Sequence, residues 1–130
     1  FNMFIISLFF IISMKYFQIT LITIVAIIHM YILYLEMFLW CTKKGIKNFG
    51  LKSFEFALET KVLAANQGLY NGFLAAGLLW SIIANKSDVA LFFLFCVFIA
   101  GLYGAYSTKK IRIFYIQSIP ATLAIITLFY

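Results

Sequence analysis

The sequence predicts an all-α polytopic membrane protein: a four-transmembrane-helix antiparallel bundle with a short interfacial helix in the first cytoplasmic loop. Composition is the first observation behind this prediction. Of the 130 residues, 65% are hydrophobic and 11% are charged, whereas a soluble domain carries about 25% charged residues. The second observation is that apolar stretches alternate with short, lysine-rich connections. Because the chain has too few polar residues to cover itself, the bilayer must be its solvent.

Four apolar stretches are long enough to cross a hydrocarbon core of about 30 Å at 1.5 Å per residue. The predicted spans are residues 17–40, 62–84, 89–106 and 113–130, within a membrane domain of residues 14–130. Residues 1–13 are apolar but too short to span, and they lack the basic start and the cleavage site of a signal peptide. We therefore expect an N-terminal extension or an overhang of the first helix.

The loop before the second span has the pattern of a short amphipathic helix, GLKSFEFALET, over residues 50–60. Leu51, Phe54 and Phe56 fall on its apolar side, while Lys52 and Glu55 can face water. The connections between spans are short, so consecutive spans should be antiparallel neighbours.

Lysine and arginine set the predicted orientation. One side of the membrane holds eight of them, at positions 43, 44, 47, 52, 61, 109, 110 and 112, and the other side holds only Lys15 and Lys86. Loops 41–60 and 107–112 should therefore be cytoplasmic and both termini outside, in a multi-pass protein of the cell membrane. The net charge of +6 is then explained by contact with lipid headgroups, and no nucleic-acid partner is expected.

Polar side chains concentrate in the cytoplasmic half of all four spans. They are His29, Glu36, Asn66, Gln67, Asn71, Tyr103 and Gln117. Buried amides and carboxylates in hydrocarbon are unfavourable unless partners meet them. We therefore expect a shared pocket near the cytoplasmic face.

Glu36 is the most informative of these residues, because a membrane carboxylate is paired, neutralised or functional. It either snorkels to the interface or accepts from Gln67, Gln117 or Tyr103, or else it binds a ligand or handles protons. His29 lies two helical turns deeper on the same face, about 10 Å away, too far for a direct hydrogen bond. A satisfied core histidine is the alternative for His29. The sequence predicts no catalytic residue, no metal and no cofactor.

Small residues recur every four positions in the second span, where they form a smooth groove. The groove residues are Ala64, Gly68, Gly72 and Ala76, and the third span offers Gly101 and Gly104 as partners. The alternative is that the groove lies between two copies of the chain, in a homo-oligomer.

Four strings are familiar: YLEMFLW (34–40), LAANQGLYNGFLAAGLLW (63–80), AGLYGAY (100–106) and QSIPATLA (117–124). They resemble the small integral membrane proteins catalogued as domain of unknown function 1304. The resemblance implies a four-helix bacterial membrane protein without an assigned activity. It also places signature positions at Glu36, Asn66, Gln67, Tyr70, Asn71, Gly101, Gly104, Gln117 and Pro120, which adds Tyr70 to the expected pocket.

Three functions are compatible with this pattern. The first is a pocket that binds a small polar or cationic ligand or a lipid headgroup, related to transport. The second is a structural or regulatory membrane protein whose buried polar residues only lock the helices together. The third is a membrane enzyme with Glu36 and His29 as acid and base.

Overall fold

The computed structural model describes residues 2–130 and is helical throughout, with no strand among these residues. Five helices follow one another: α1 (Asn2–Phe38), α2 (Lys43–Phe49), α3 (Phe54–Ile83), α4 (Ser87–Thr108) and α5 (Ile111–Thr127). By length and composition, α1 and α4 can each cross a membrane. Helix α3 has 30 residues, but Asn66, Gln67 and Asn71 interrupt its apolar sequence.

The loop between α1 and α3 holds its short helix earlier than predicted, at Lys43–Phe49 rather than at residues 50–60. Gly50 ends α2 in the left-handed conformation, with φ of 60°, which glycine adopts without strain. The Ser53 hydroxyl then caps α3 by accepting from the backbone N–H of Phe56 at 3.1 Å. No glycine or proline follows until Gly68, so residues 54–60 continue directly into α3.

The four long helices pack in a closed order, in which α1 and α4 each lie against both α3 and α5. Consecutive long helices run antiparallel: Gly77 of α3 meets Phe93 of α4, and Gly101 of α4 meets Ser118 of α5. The Gln18 amide of α1 donates to the Thr127 carbonyl of α5 at 2.8 Å. All four helices contribute to one core cluster, which consists of Ile22, Val25, Ala26, Leu78, Ala90, Leu94, Val97, Ala121 and Ala124.

Helix α5 is irregular where the sequence places Pro120. Residues Phe114–Ser118 form a π-helical turn, in which the Ile119 N–H donates to the Phe114 carbonyl five residues earlier. Pro120 has no N–H to donate and its ring displaces the preceding turn, which accounts for the widened turn directly before it. The helix ends at Thr127, three residues before the predicted end of the span.

Candidate functional site

The most buried carboxylate of the chain lies between α1 and α3. Glu36 stands two residues before the end of α1 and is 3% exposed. Its Oε2 accepts from Nδ2 of Asn71 at 2.9 Å, and the same nitrogen donates to the Gln67 carbonyl at 3.1 Å. Both N–H groups of the Asn71 amide are thereby used, which fixes its orientation toward Glu36.

Two glycines of α3 produce this burial. A Cβ at Gly68 would come within 3.0 Å of the Glu36 Cβ and 2.8 Å of the Met37 Cγ. A Cβ at Gly72 would come within 2.5 Å of the Leu33 Cδ1. The α3 backbone can approach α1 this closely only because these side chains are absent. The groove of small residues therefore faces α1, and the expectation that it faces the Gly101 region of α4 was wrong.

The Glu36 carboxylate has an amide partner and no cationic one. Among residues 2–130, Asn71 is its hydrogen-bond partner, and no lysine, arginine or histidine forms an ion pair with it. Gln67, Gln117 and Tyr103, which were the expected donors, do not donate to it. A buried carboxylate with a single neutral donor remains incompletely paired, so this site can hold a proton, a cation or a hydrogen-bond donor.

His29 is the second incompletely paired group on the interior face of α1. It is fully buried, and its Nδ1 lies 2.8 Å from the Val25 carbonyl. Because a carbonyl can only accept, Nδ1 carries the proton, and Nε2 of the neutral ring is left as an acceptor. Nε2 is buried and has no partner among residues 2–130. His29 is therefore only half satisfied, about 10 Å along α1 from Glu36.

The other predicted pocket residues do not join Glu36. Asn66 and Gln67 are exposed, and Tyr70 and Tyr103 are 64% and 70% exposed. Asn66 and Tyr70 are each two residues from Gly68, a rotation of about 200° on a helix of 3.6 residues per turn. They therefore lie on the face of α3 opposite α1.

Gln117 lies between α4 and α5 instead. It is half-buried, and a Cβ at Gly101 would come within 2.9 Å of its Cβ. The shared chamber predicted from four helices is thus reduced to Glu36 and Asn71, with His29 deeper on the same side of α1.

The predicted packing residues separate into two contacts. Ala64, Gly68 and Gly72 lie on the α1 side of α3, with Ala64 and Gly68 buried. Ala76 is exposed, because each step of four residues turns the ladder by about 40°. Gly101 and Gly104 instead face α5; a Cβ at Gly104 would lie 3.1 Å from the Ile113 Cγ2.

Ser118 was missed by the sequence reasoning. It is fully buried, and its hydroxyl donates to the Phe98 carbonyl of α4 at 2.9 Å. The signal was its spacing from two other buried small residues, Ala121 and Ala124, three and six positions later. Residues three and four apart share a helix face, so Ser118 rather than Gln117 belonged to the packed face.

A small polar cluster at the opposite end of the molecule was also missed. Gln18, Ser81, Asn85, Lys15 and Lys86 line a recess of about 30 Å³ there. Gln18 joins α1 to the end of α5 through the Thr127 carbonyl. This end of the helices therefore carries more polar contacts than the sequence indicated.

The family described as Protein of unknown function (DUF1304) matches residues 23–129. The chain belongs to this family. It is also 31% identical over 110 residues to the Uncharacterized protein YpaA of Lactococcus lactis subsp. lactis (strain IL1403), covering 82% of this chain and 92% of that protein. No solved structure matches the chain. The family match includes Glu36, Asn71 and His29 but not the first 22 residues of the chain.

Proposed function

We propose that this protein is a four-span cell-membrane protein in which Glu36 binds a small cationic ligand, or a proton in its place, from the cytoplasmic side. One observation carries the proposal: Glu36 is 3% exposed and has only the Asn71 amide as a partner among residues 2–130. Ionisable groups inside a membrane protein face its interior and mark binding sites or ion pathways. His29 Nε2, unpartnered and deeper on α1, gives the site a second acceptor.

Two tryptophans support the membrane placement. The Trp40 indole donates to the Thr60 hydroxyl at 3.0 Å, and Trp80 lies twenty residues farther along α3. Twenty helical residues extend about 30 Å, the thickness of the hydrocarbon core, and indoles favour both of its boundaries. Gly68, which lies against Glu36, is about 12 Å from Thr60 on this scale, within the inner half.

The outward surface agrees with a lipid environment. Large apolar side chains stand exposed on every long helix, for example Ile27 at 62%, Leu63 at 70%, Phe92 at 64% and Leu123 at 50%. A soluble monomer rarely leaves an apolar surface this extensive in water. We therefore place α1, α3, α4 and α5 across the bilayer, with the loop containing α2 on the lysine-rich cytoplasmic side.

Cysteine labelling in intact cells tests this topology. In a background lacking Cys41 and Cys96, Ser87→Cys should react with a membrane-impermeant maleimide from outside. Thr108→Cys should react only after the cells are opened. Labelling of Thr108→Cys alone in intact cells would overturn the proposed orientation, and labelling of both variants in intact cells would overturn the crossing of the membrane by α4.

Thermal unfolding in detergent with a panel of cations tests the binding site. The probes are sodium, potassium, magnesium, methylammonium and tetraphenylphosphonium. A cation that binds only the folded state at 100 times its Kd stabilises the protein by about 2.7 kcal/mol. We expect at least one probe to raise the Tm of the wild type and of Glu59→Gln, an exposed control, but not of Glu36→Gln. An equal response of Glu36→Gln, or no response of the wild type, would refute cation binding at Glu36.

A structural lock is the second candidate function, and the closeness of the α1–α3 contact favours it. Asn71 uses both amide protons, and Gly68 seats directly against Glu36. Under this alternative, Glu36→Gln would leave the cation response unchanged. Glu36→Ala and Asn71→Leu, which remove the hydrogen bond between these side chains, would lower the yield of folded protein.

A further inference from the structure

A second concave surface lies at the cytoplasmic end of α4 and α5, away from Glu36. This groove has a volume of about 460 Å³ and is lined by Leu102, Ala105, Tyr106, Lys109, Ile111 and Phe114. Its volume is in the range of small-molecule sites, about 300–1,000 Å³. Tyr106 and Ile111 are 74% and 62% exposed, so the groove opens to the outside of the helix bundle rather than to its core.

The local backbone explains why a groove forms here. Lys109 ends α4 in the left-handed conformation, with φ of 60°, and α5 begins two residues later. The helices touch at Gly104 and Ile113, where a Cβ on the glycine would be 3.1 Å from the Ile113 Cγ2. Beside this contact Ala105 has only a methyl group, so the larger neighbouring side chains surround an open space.

The groove carries a positive charge, and no acidic residue lies near it in the sequence to compensate that charge. Lys109 is its only charged lining residue, with Nζ 5.1 Å from the centre of the Tyr106 ring. Arg112 follows in the first turn of α5, and no aspartate or glutamate occurs after Asp88. Lys110, by contrast, is already occupied, since its Nζ donates to the Phe49 carbonyl.

We propose that this groove is a binding site for an anionic phospholipid. One acyl chain lies against Leu102, Ile111 and Phe114, and the phosphate meets the Lys109 ammonium at headgroup depth. Apolar walls alone would accept any lipid; the uncompensated lysine at the rim selects an anionic one. The inference rests on the proposed membrane placement and is independent of cation binding at Glu36.

Native mass spectrometry of the detergent-purified protein tests this site, with equimolar phosphatidylglycerol and phosphatidylcholine of matched chains. The wild type should prefer phosphatidylglycerol by about fivefold, the effect of one lysine near an anionic surface. Lys109→Gln should lose this preference. Lys86→Gln should keep it, since this matched control also places its Nζ near an aromatic ring, 6.0 Å from Trp80, but at the opposite membrane face. Ala105→Phe should reduce binding of both lipids by filling the groove without changing its charge.

The alternatives to a lipid site in this groove predict different results in the same experiment. An equal loss of preference in Lys109→Gln and Lys86→Gln, or full lipid binding by Ala105→Phe, would overturn the groove as the site. Abolition of phosphatidylglycerol binding by millimolar inorganic phosphate would overturn the lipid assignment in favour of a free anion. Glu36→Gln should keep the lipid preference even if cation binding at Glu36 proves absent, so the two proposals fail separately.

Discussion

The contact of α1 with α3 and the contact of α4 with α5 both depend on glycines, but the two contacts bury different polar groups. In each contact, two glycines on one helix let the neighbouring helix approach: Gly68 and Gly72 in the first, Gly101 and Gly104 in the second. The first contact then buries a carboxylate bonded to an amide. The second buries the Ser118 hydroxyl, bonded to a backbone carbonyl.

The two polar groups differ in how far hydrogen bonds within the protein satisfy them. The Ser118 hydroxyl has one proton, and the Phe98 carbonyl accepts it, so the donor of this uncharged group is satisfied within the protein. A carboxylate has about four acceptor positions, and among residues 2–130 only Oε2 of Glu36 receives a hydrogen bond. Close glycine packing is therefore common to both contacts, whereas the incompletely paired carboxylate at the first contact is the feature from which we propose a binding site.

The largest expected effect is at Gly101. A Cβ there would come within 2.3 Å of the Ser118 Oγ and 2.9 Å of the Ser118 backbone nitrogen, so backbone must move. Overpacking of up to about 3 kcal/mol, less about 1 kcal/mol of improved helix propensity, predicts a net loss of about 2 kcal/mol for Gly101→Ala. Gly104→Ala is the matched control and should be neutral or stabilising, because only the Ile113 side chain must shift. Thermal unfolding of both variants in one detergent measures this difference. A larger loss of stability in Gly104→Ala than in Gly101→Ala would contradict the prediction.

Removal of the Glu36 side chain should rank next. Glu36→Ala removes the acceptor of one N–H of the half-buried Asn71 amide, while the other N–H still donates to the Gln67 carbonyl, so we expect a loss of about 1 kcal/mol. Glu36→Gln keeps an oxygen for the Asn71 Nδ2 and should change the free energy of unfolding by less than about 0.5 kcal/mol. Denaturation without added cations measures both variants. A loss in Glu36→Gln as large as in Glu36→Ala would argue that the negative charge itself holds α1 to α3.

A smaller effect is expected at Ser118. Ser118→Ala removes one interhelical hydrogen bond, and such bonds in membrane proteins contribute about 0.6 kcal/mol on average. The Phe98 carbonyl keeps its place in the α4 backbone, which limits the loss. Because Ser118 is uncharged and lies at the contact of α4 with α5 rather than beside Glu36, the variant should respond to cations as the wild type does. An altered cation response would contradict the distinction drawn between the two contacts.

The smallest effects should follow changes at Asn66 and Gln67. Both side chains are exposed and neither bonds to Glu36, so Asn66→Leu and Gln67→Leu should change stability by about 0.5 kcal/mol or less. Their cation response should equal that of the wild type. Asn71→Leu is the comparison variant, since it removes the only donor to Glu36 among residues 2–130. Loss of the cation response in Gln67→Leu would restore the larger pocket that the sequence indicated.

Residue type and spacing were enough to predict the helical fold and to single out Glu36 and Asn71 as polar residues within apolar helices. They were not enough to predict their pairing, because the sequence does not state the rotation of α3 relative to α1. Once Gly68 faces α1, helical geometry places Asn71 beside Glu36 and turns Asn66 and Tyr70 away. Which helix each glycine contacts is a property of the tertiary packing, and this contact decides which polar side chains of α3 lie beside Glu36.

Two local features of the backbone were predictable from the sequence to different extents. Gly50 and Ser53 are strong stop and start residues, so the break before α3 could have been placed between them. Pro120 signalled an irregularity in α5, but a kink, a break or a π turn would all satisfy a missing N–H. The sequence does not state which of these occurs; the assembled helices contain a π turn over Phe114–Ser118, with Ser118 lying against Gly101.

Labelling with a hydrophobic carbodiimide tests the central claim most directly, because this reagent attacks protonated carboxyl groups in apolar surroundings. Peptide mass spectrometry of the wild type should find the adduct on Glu36 rather than on exposed Glu55 or Glu59. The cation that raises the Tm should slow this labelling in proportion to its occupancy. Labelling of Glu36 that no stabilising cation slows, or an adduct pattern that favours Glu55 and Glu59, would contradict a cation site at Glu36.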